Sequence, residues 1–313
     1  MSAPPACPIC THREGNTTFS ASEKMFGLGG SFTYLECAGC GCLHLLDPPP
    51  DLSPYYPTAY YSYRSERPGT PTLRERLTHW MSHHLAAHRM GTFDPIGRII
   101  AGTGKLAWLP RLPKGFRSRV LDVGCGSGAL LLLLQRIGFH DLTGVDPFIA
   151  ADIHYPNGVR IFQRELAAID GPFDLIHLGH TFEHMADPLA MMRCIRERLA
   201  PDGVAVIRIP VADSFAWRHY RDRWVQLDAP RHFFLHTSKS MALLAEAAGL
   251  HVDRELRDST AFQFSGSEKY LRGLPLNAPD PFTAAERKAF TGRARALNRK
   301  GEGDTATFHL RLA

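Results

Sequence analysis

The sequence predicts an α/β protein built on a mostly parallel sheet, with a small cysteine-held module ahead of it. Three observations carry this reading. From Arg119 onward, short β-branched and apolar runs alternate with helical patterns, as a parallel sheet with crossover helices requires. One of those runs, Val120–Val123, breaks into Gly124, Gly126 and Gly128 and passes directly into the apolar helix pattern Ala129–Leu134. Five of the seven cysteines fall within the first 46 residues, four of them as two CxxC pairs.

Composition sets the outer limits. The chain has 313 residues, 44% hydrophobic and 21% charged, a globular balance. At about 150 residues per domain, that length suits one large unit with one or two small ones. The longest apolar stretch, Ala129–Leu134, is far short of the ~20 residues of a membrane span. Met1-Ser2-Ala3-Pro4-Pro5 lacks the basic-then-apolar pattern of a signal peptide. The chain therefore reads as soluble and cytoplasmic, with its cysteines as thiols or metal ligands rather than disulfides.

At the N-terminal end, Cys7-Pro-Ile-Cys10 and Cys37-Ala-Gly-Cys40 are separated by 26 residues. Each CxxC is a tight knuckle that aims two thiolates at one point. Two knuckles complete a closed tetrahedral Zn²⁺ site, which makes the metal structural. Cys42, His12 and His44 are spare donors nearby, while Cys125 and Cys194 lie outside this module. A proline-rich arm follows, carrying Tyr55, Tyr56, Tyr60, Tyr61 and Tyr63. Leu73, Leu77, Trp80, His84 and Leu85 then recur at helical spacing, predicting an amphipathic helix from Leu73 to about His88.

Residues 60–119 hold eleven Lys or Arg against three acids, so this segment is +8 in a chain of net +5. An anionic partner fits that asymmetry: nucleic acid, a phosphorylated small molecule or an acidic surface. Gly102-Thr-Gly-Lys105 is no P-loop, because Leu106 stands where a Ser or Thr is required.

The predicted strands are 120–123, 142–145, 159–162, 173–178, 204–209, 251–256 and 305–312. Helices are expected over 129–137, 188–199, 238–248 (capped by Thr237 or Ser238) and 284–299, with 257–282 irregular. In the turn after the first of these strands, glycines let the backbone bend sharply and approach a ligand. The helix behind it offers open N–H groups. Asp146 ends the next strand, eighteen residues after Gly128, where a carboxylate can accept both hydroxyls of a ribose. Gly124-x-Gly126-x-x-Ala129 also satisfies the dinucleotide fingerprint. Asp122 tips the balance, since an acid just before the first glycine meets an ammonium and repels a pyrophosphate.

Asp122-x-Gly124-x-Gly126-x-Gly128 with Gly144-Val145-Asp146 resembles motif I and its acidic partner in class I S-adenosylmethionine-dependent methyltransferases. Phe173-Asp174-Leu175-Ile176 resembles their fourth strand, and Glu183-His184-Met185-Ala186-Asp187-Pro188 the segment after it. Leu199-Ala200-Pro201-Asp202-Gly203 is similar to their approach to the fifth strand, with Asp202 in place of a glycine. Pro230-Arg231-His232-Phe233 and His236-Thr237 are similar to bacterial methyltransferases of glycan and natural-product pathways, several of which carry an N-terminal CxxC…CxxC module. The resemblance implies a Rossmann-like fold with a mostly parallel seven-stranded sheet. It implies a zinc-ribbon-like module over 1–47, a linker arm over 48–72, a basic helical segment over 73–118 and a methyltransferase domain over 119–313. It places Asp122, Gly124 and Gly126 on the methionyl part of the cofactor, with Cys125, Gly128 and Pro147 in the same lining. Asp146 falls on the ribose, and Glu165 with Leu166 on the adenine.

Methyl transfer to a hydroxyl needs the nucleophile aligned with the methyl group and its proton removed. His184 is the first candidate base, in the segment after the strand ending at Leu178, with His232 and His236 next. Glu183 and His184 could be metal ligands, but no third ligand stands at a telling spacing. The sequence thus points to O-methylation of a sugar or other small hydroxylated metabolite, one that carries a phosphate, nucleotide or lipid if the basic segment meets it. RNA methylation is the runner-up, though no N/D-P-P-aromatic motif follows the fourth strand. C-methylation of a keto-sugar and a non-catalytic, zinc-mediated interaction role are the further alternatives.

Overall fold

The structure, a computed structural model, describes residues 5–56, 72–103 and 105–313. Tyr60, Tyr61 and Tyr63 of the arm, with Arg64 and Arg67 of the basic segment, lie outside the described residues.

Three N-terminal strands, β1 (Thr17–Glu23), β2 (Gly29–Glu36) and β3 (Leu43–Leu45), pair antiparallel in sequence order. The large sheet is built from β4 (Arg119–Val123), β5 (Asp141–Val145), β6 (Ile153–His154), β7 (Arg160–Phe162), β8 (Phe173–Gly179) and β9 (Leu199–Pro210). After the short β10 (Phe234–Leu235), β11 (Leu250–Arg257) and β12 (Thr305–Leu312) complete it. Its order is β11-β12-β9-β8-β4-β5-β7-β6. β4 runs parallel to both β5 and β8, and β12 is inserted antiparallel between β9 and β11. This is the Rossmann-like methyltransferase arrangement. Its eighth strand, beyond the seven expected, is the two-residue β6 at the edge.

The order in which successive strands are added reverses between the parallel neighbours β4 and β8, so the ligand crevice lies beyond their carboxyl ends. Alternate residues of β4 feed opposite layers. Leu121 and Val123 pack with Ile176, Leu178 and Phe182, while Val120 packs with Leu131, Leu134 and Leu175 on the other face.

The helices are α1 (Leu73–Arg89), α2 (Pro95–Ile100), α3 (Ala129–Arg136), α4 (Pro188–Arg198), α5 (Phe215–Tyr220), α6 (Ser238–Ala247), α7 (Phe262–Leu271) and α8 (Ala284–Arg299). α3, α4, α6 and α8 end within two residues of expectation, the last three because their caps are local. Asp187 caps α4 through the Ala190 N–H, Thr237 and Ser240 box α6, and Thr283 with Glu286 boxes α8. Among the described residues, no helix is long and apolar enough to cross a membrane.

Three expectations change. α7 occupies a stretch read as irregular, since its serines and glycine have poor helix propensity. Packing overrides that, and a Cβ on Gly266 would come within 2.4 Å of Val225. α1 forms as predicted, but Leu73 (84% exposed), Leu77 and Trp80 make no core face. Only its last turns dock, through Leu85, Ala86 and Ala87. The seam expected after residue 47 is crossed by backbone pairing and by apolar packing. β10 pairs with β3 to complete a four-stranded sheet, and Tyr34 and Leu43 share one apolar cluster with Trp217, Trp224 and Phe264.

Candidate active site

Gly124, Gly126 and Gly128 all adopt left-handed backbone, with φ of 70°, 53° and 83°. A Cβ on Gly124 would lie 2.4 Å from Thr181, so the turn passes directly under the loop that follows β8. α3 starts with no side-chain cap, leaving its first N–H groups available to a ligand. At the end of β5, the buried Asp146 braces this turn. Its Oδ2 accepts the Gly126 N–H and its Oδ1 the Phe148 N–H, both at 2.9 Å.

Asp122 shares its carboxylate with a neighbouring side chain. Its Oδ1 accepts the Nδ1–H of His177 at 2.8 Å, with both side chains buried. His177 stands in the apolar run of β8, and Trp108 covers it with ring centroids 5.1 Å apart. Leu166 is packed into the core beside Val123 and Val145, whereas Glu165 and Pro147 are exposed. The half-buried Cys125 thiol is pushed well above the usual thiol range by burial. The bare-backbone turn, the open helix start and the acid on the next strand fit an S-adenosylmethionine site.

The loop after β8 begins with His180 at φ 54°, a strained conformation for a residue with a Cβ. His180 meets the Arg208 guanidinium, and Arg208 in turn pairs with Asp258 at 2.7 Å. Glu183 is wholly buried, and no donor among the described residues is aligned on its carboxylate. Its nearest basic atoms are His180 Nδ1 at 3.4 Å and His232 Nε2 at 4.0 Å. Burial opposes its ionisation, but His180, His184 and His232 outweigh that and hold the carboxyl below its usual range.

His184 Nδ1 lies 2.8 Å from the backbone oxygen of Arg231. A carbonyl can only accept, so the proton sits on Nδ1 and the lone pair on Nε2. The Tyr56 hydroxyl is 3.3 Å from the same Nδ1. His232 is fixed in the same tautomer by the Gln226 oxygen at 2.8 Å. Burial and the neighbouring His184 push it down to about 4. The two rings stand edge to face, 4.7 Å apart. His236 is set apart from this pair. It is fully buried beside the Phe182 and Phe234 rings, and burial pushes it down to about 3.

Glu183, His184 and His232 offer ligand atoms within 4.8 Å of one another, a set that could also hold a divalent cation. The third member, missing from the local sequence, comes from a loop 48 residues on. It is anchored there because the Phe233 N–H donates to the Glu183 oxygen at 2.9 Å.

Cys7, Cys10, Cys37 and Cys40 converge in the same way, with sulfurs within 4.8 Å of one another. The Cys7–Cys40 and Cys10–Cys37 separations are 3.7 and 3.4 Å. Tetrahedral thiolates at a zinc–sulfur distance of about 2.3 Å would stand about 3.8 Å apart, so the cluster fits that ion. Contact with Cys40 pulls the Cys7 thiol down to about 5. Cys42 points away, toward His236, and His44 stacks on Phe234.

The family described as a methyltransferase domain matches residues 97–255, just over half of the chain. Over 180 residues the chain is 27% identical to a ubiquinone biosynthesis O-methyltransferase of Aeromonas salmonicida, covering 52% of this chain and 74% of that one. Over 98 residues it is 37% identical to the enzyme of the same name from Cereibacter sphaeroides, covering 28% of this chain and 39% of that one. The chain spans about two fifths to just over half the length of the other such relatives it matches. Among solved structures, the mitomycin 7-O-methyltransferase MmcR superposes with a TM-score of 0.40 at 14% identity, covering 77% of this chain and 55% of that one.

Proposed function

The chain belongs to the methyltransferase-domain family and is an S-adenosylmethionine-dependent enzyme, and from that premise we propose that it methylates a hydroxyl oxygen of a small acceptor such as a sugar. The relatives named as O-methyltransferases support oxygen as the acceptor atom. One observation carries the assignment of the base. The His184 Nδ1 proton is committed to the Arg231 oxygen, which leaves the Nε2 lone pair outside that bond, in the loop that follows β8 at the carboxyl end of the sheet.

S-adenosylmethionine supplies a methyl group made electrophilic by its sulfonium. In the proposed step His184 Nε2 removes the acceptor's hydroxyl proton as the oxygen forms its bond to the methyl carbon and the carbon–sulfur bond breaks. The resulting imidazolium sits beside the Glu183 carboxylate, whose ionised state favours it. His232 stays neutral and lines the same wall. Asp146 and the glycine turn bind the cofactor, with Cys125, Pro147 and Glu165 at its margins. Cys7, Cys10, Cys37 and Cys40 hold a structural zinc ion in the module expected over residues 1–47, and the enzyme works in the cytoplasm.

Three members of the basic segment, Arg89, Lys114 and Arg119, are committed within the protein, which favours a small acceptor over RNA. Lys114 pairs with Asp174 at 2.8 Å, and Arg119 donates to the Pro172 oxygen at 2.7 Å. A phosphorylated or nucleotide-linked acceptor remains compatible with the other cations. The test is transfer of labelled methyl from S-adenosylmethionine into host extract, split into small-molecule, glycan and RNA fractions, with Asp146→Ala as blank. Label that resists ribonuclease is the expected result. Label lost to ribonuclease would overturn the proposal in favour of RNA.

A further inference from the structure

We propose that Arg231 is a positioning residue for His184, and that Glu23 in the cysteine-bearing N-terminal sheet holds Arg231 in place. The inference rests on the reading of His184 as the base.

The Arg231 side chain is fully buried. Its Nη2 donates to Glu23 Oε1 at 2.9 Å and to Asp228 Oδ1 at 2.5 Å, and its Nε to Asp228 Oδ2 at 2.9 Å. Nη1 donates to the Tyr55 oxygen at 3.0 Å. The backbone oxygen of the same residue fixes the His184 tautomer. Glu23 is itself a rigid bracket, since its carboxylate also accepts the N–H groups of Phe26 and Leu28.

Burying a guanidinium with its carboxylates is a poor way to gain stability, because desolvation consumes most of the Coulombic attraction. It is an effective way to fix a backbone. Three tethers from residues 23–56 end on the two histidines. Glu23 reaches His184 through Arg231, the Tyr56 hydroxyl approaches His184 directly, and the Tyr34 hydroxyl donates to the His232 oxygen at 2.8 Å. The N-terminal sheet is thereby part of the wall that aims Nε2. A shift of about 1 Å in the Arg231 oxygen lengthens the bond to His184 beyond hydrogen-bonding range and releases the ring.

The groups facing His184 are Glu183, His232 and Tyr56, with Asp228 and Arg231 behind them. Substituting Glu23 removes none of these five groups, so its effect on His184 reports on where they stand.

The test uses NMR of the full-length protein with ring-labelled histidine, the His184 signal being identified by its loss in His184→Gln. The native protein should show one neutral tautomer protonated on Nδ1. Glu23→Gln should convert this to an average of both tautomers. It should also cut the initial rate of label transfer into extract by about ten- to a hundredfold at saturating S-adenosylmethionine. In the His184→Gln background the same change should cost nothing further. An unchanged ring signal, or an equal loss in both backgrounds, overturns the positioning role. If Glu23→Gln does not fold, Glu23→Asp keeps the charge but shortens its reach to Arg231, and it is read by the same criteria on the His184 signal. A His184→Gln variant that transfers label at the native rate removes the base reading and this inference with it, even if the ring signal behaves as expected.

Discussion

Asp146 and Gly126 are tied together at the carboxyl edge of the sheet, the carboxylate accepting the glycine N–H at 2.9 Å. The acid proposed for the ribose therefore also braces the turn proposed for the methionyl group. Asp146→Ala should lose about 1–3 kcal/mol of stability as two N–H groups lose their acceptor, together with most affinity for S-adenosylmethionine. Calorimetric titration and denaturant melts read the two effects separately. Native affinity in this variant would sink the assignment.

His184→Gln keeps a polar side chain of similar reach but cannot take a proton. Its transfer rate should fall about a hundred- to ten-thousandfold, with affinity for S-adenosylmethionine within about twofold of native. A rate loss accompanied by an equal loss of affinity would instead place His184 in cofactor binding.

Glu183, His184 and His232 converge whether they handle a proton or a cation. In the proposed mechanism they handle a proton, so a brief chelator treatment too mild to strip the proposed zinc from the four cysteines should preserve methyl transfer. Activity lost to the chelator and restored by magnesium or manganese would assign the trio to a metal instead.

The four converged cysteines should bind one zinc ion per chain, measurable by elemental analysis. Cys37→Ser should lose the ion and lower the melting temperature. The damage should spread beyond the module, because the Cys40 oxygen accepts the Thr237 hydroxyl at the start of α6. Full zinc content in Cys37→Ser would rule out the four-cysteine site.

His236 sets an acid limit on stability. Burial lowers its pKa from 6.5 to about 3, so below pH 6.5 the unfolded chain takes up a proton that the folded chain refuses. The stabilisation is present in full above pH 6.5 and drains away as the pH falls toward 3. Burial acts in the same direction on His309, which is lowered to about 4. His236→Phe, placed beside Phe182 and Phe234, should flatten the pH dependence by about 2–3 kcal/mol between pH 7 and 4.5. An unchanged slope in urea melts would show that His236 titrates normally.

What the sequence disclosed was local. β4, the glycine turn and α3 are contiguous, and Thr237 and Thr283 cap their own helices, so periodicity and capping chemistry suffice for them. The CxxC pairs announce themselves because each knuckle lies within four residues. The site's side-chain partners are distant in sequence. His177 reads as an odd residue in an apolar strand until Asp122 is seen beside it. Glu183 and His184 lacked a third partner until the fold delivered His232. Arg231 lay in a motif noted by resemblance, with nothing to show that Glu23 would meet it. α1 failed in the opposite sense, since helical spacing shows which residues share a face but not whether anything packs on it.

The pairing of β3 with β10 has a consequence for synthesis on the ribosome. The N-terminal strands leave the exit tunnel first, yet the strand that covers their open edge lies about 190 residues downstream. At roughly 5–20 residues per second, that edge waits on the order of ten to forty seconds for its neighbour. During that interval the growing chain presents an uncovered row of backbone donors and acceptors, open to strand addition by another nascent chain. Zinc captured early by the two cysteine knuckles would hold the meander together until Phe234 and Leu235 arrive.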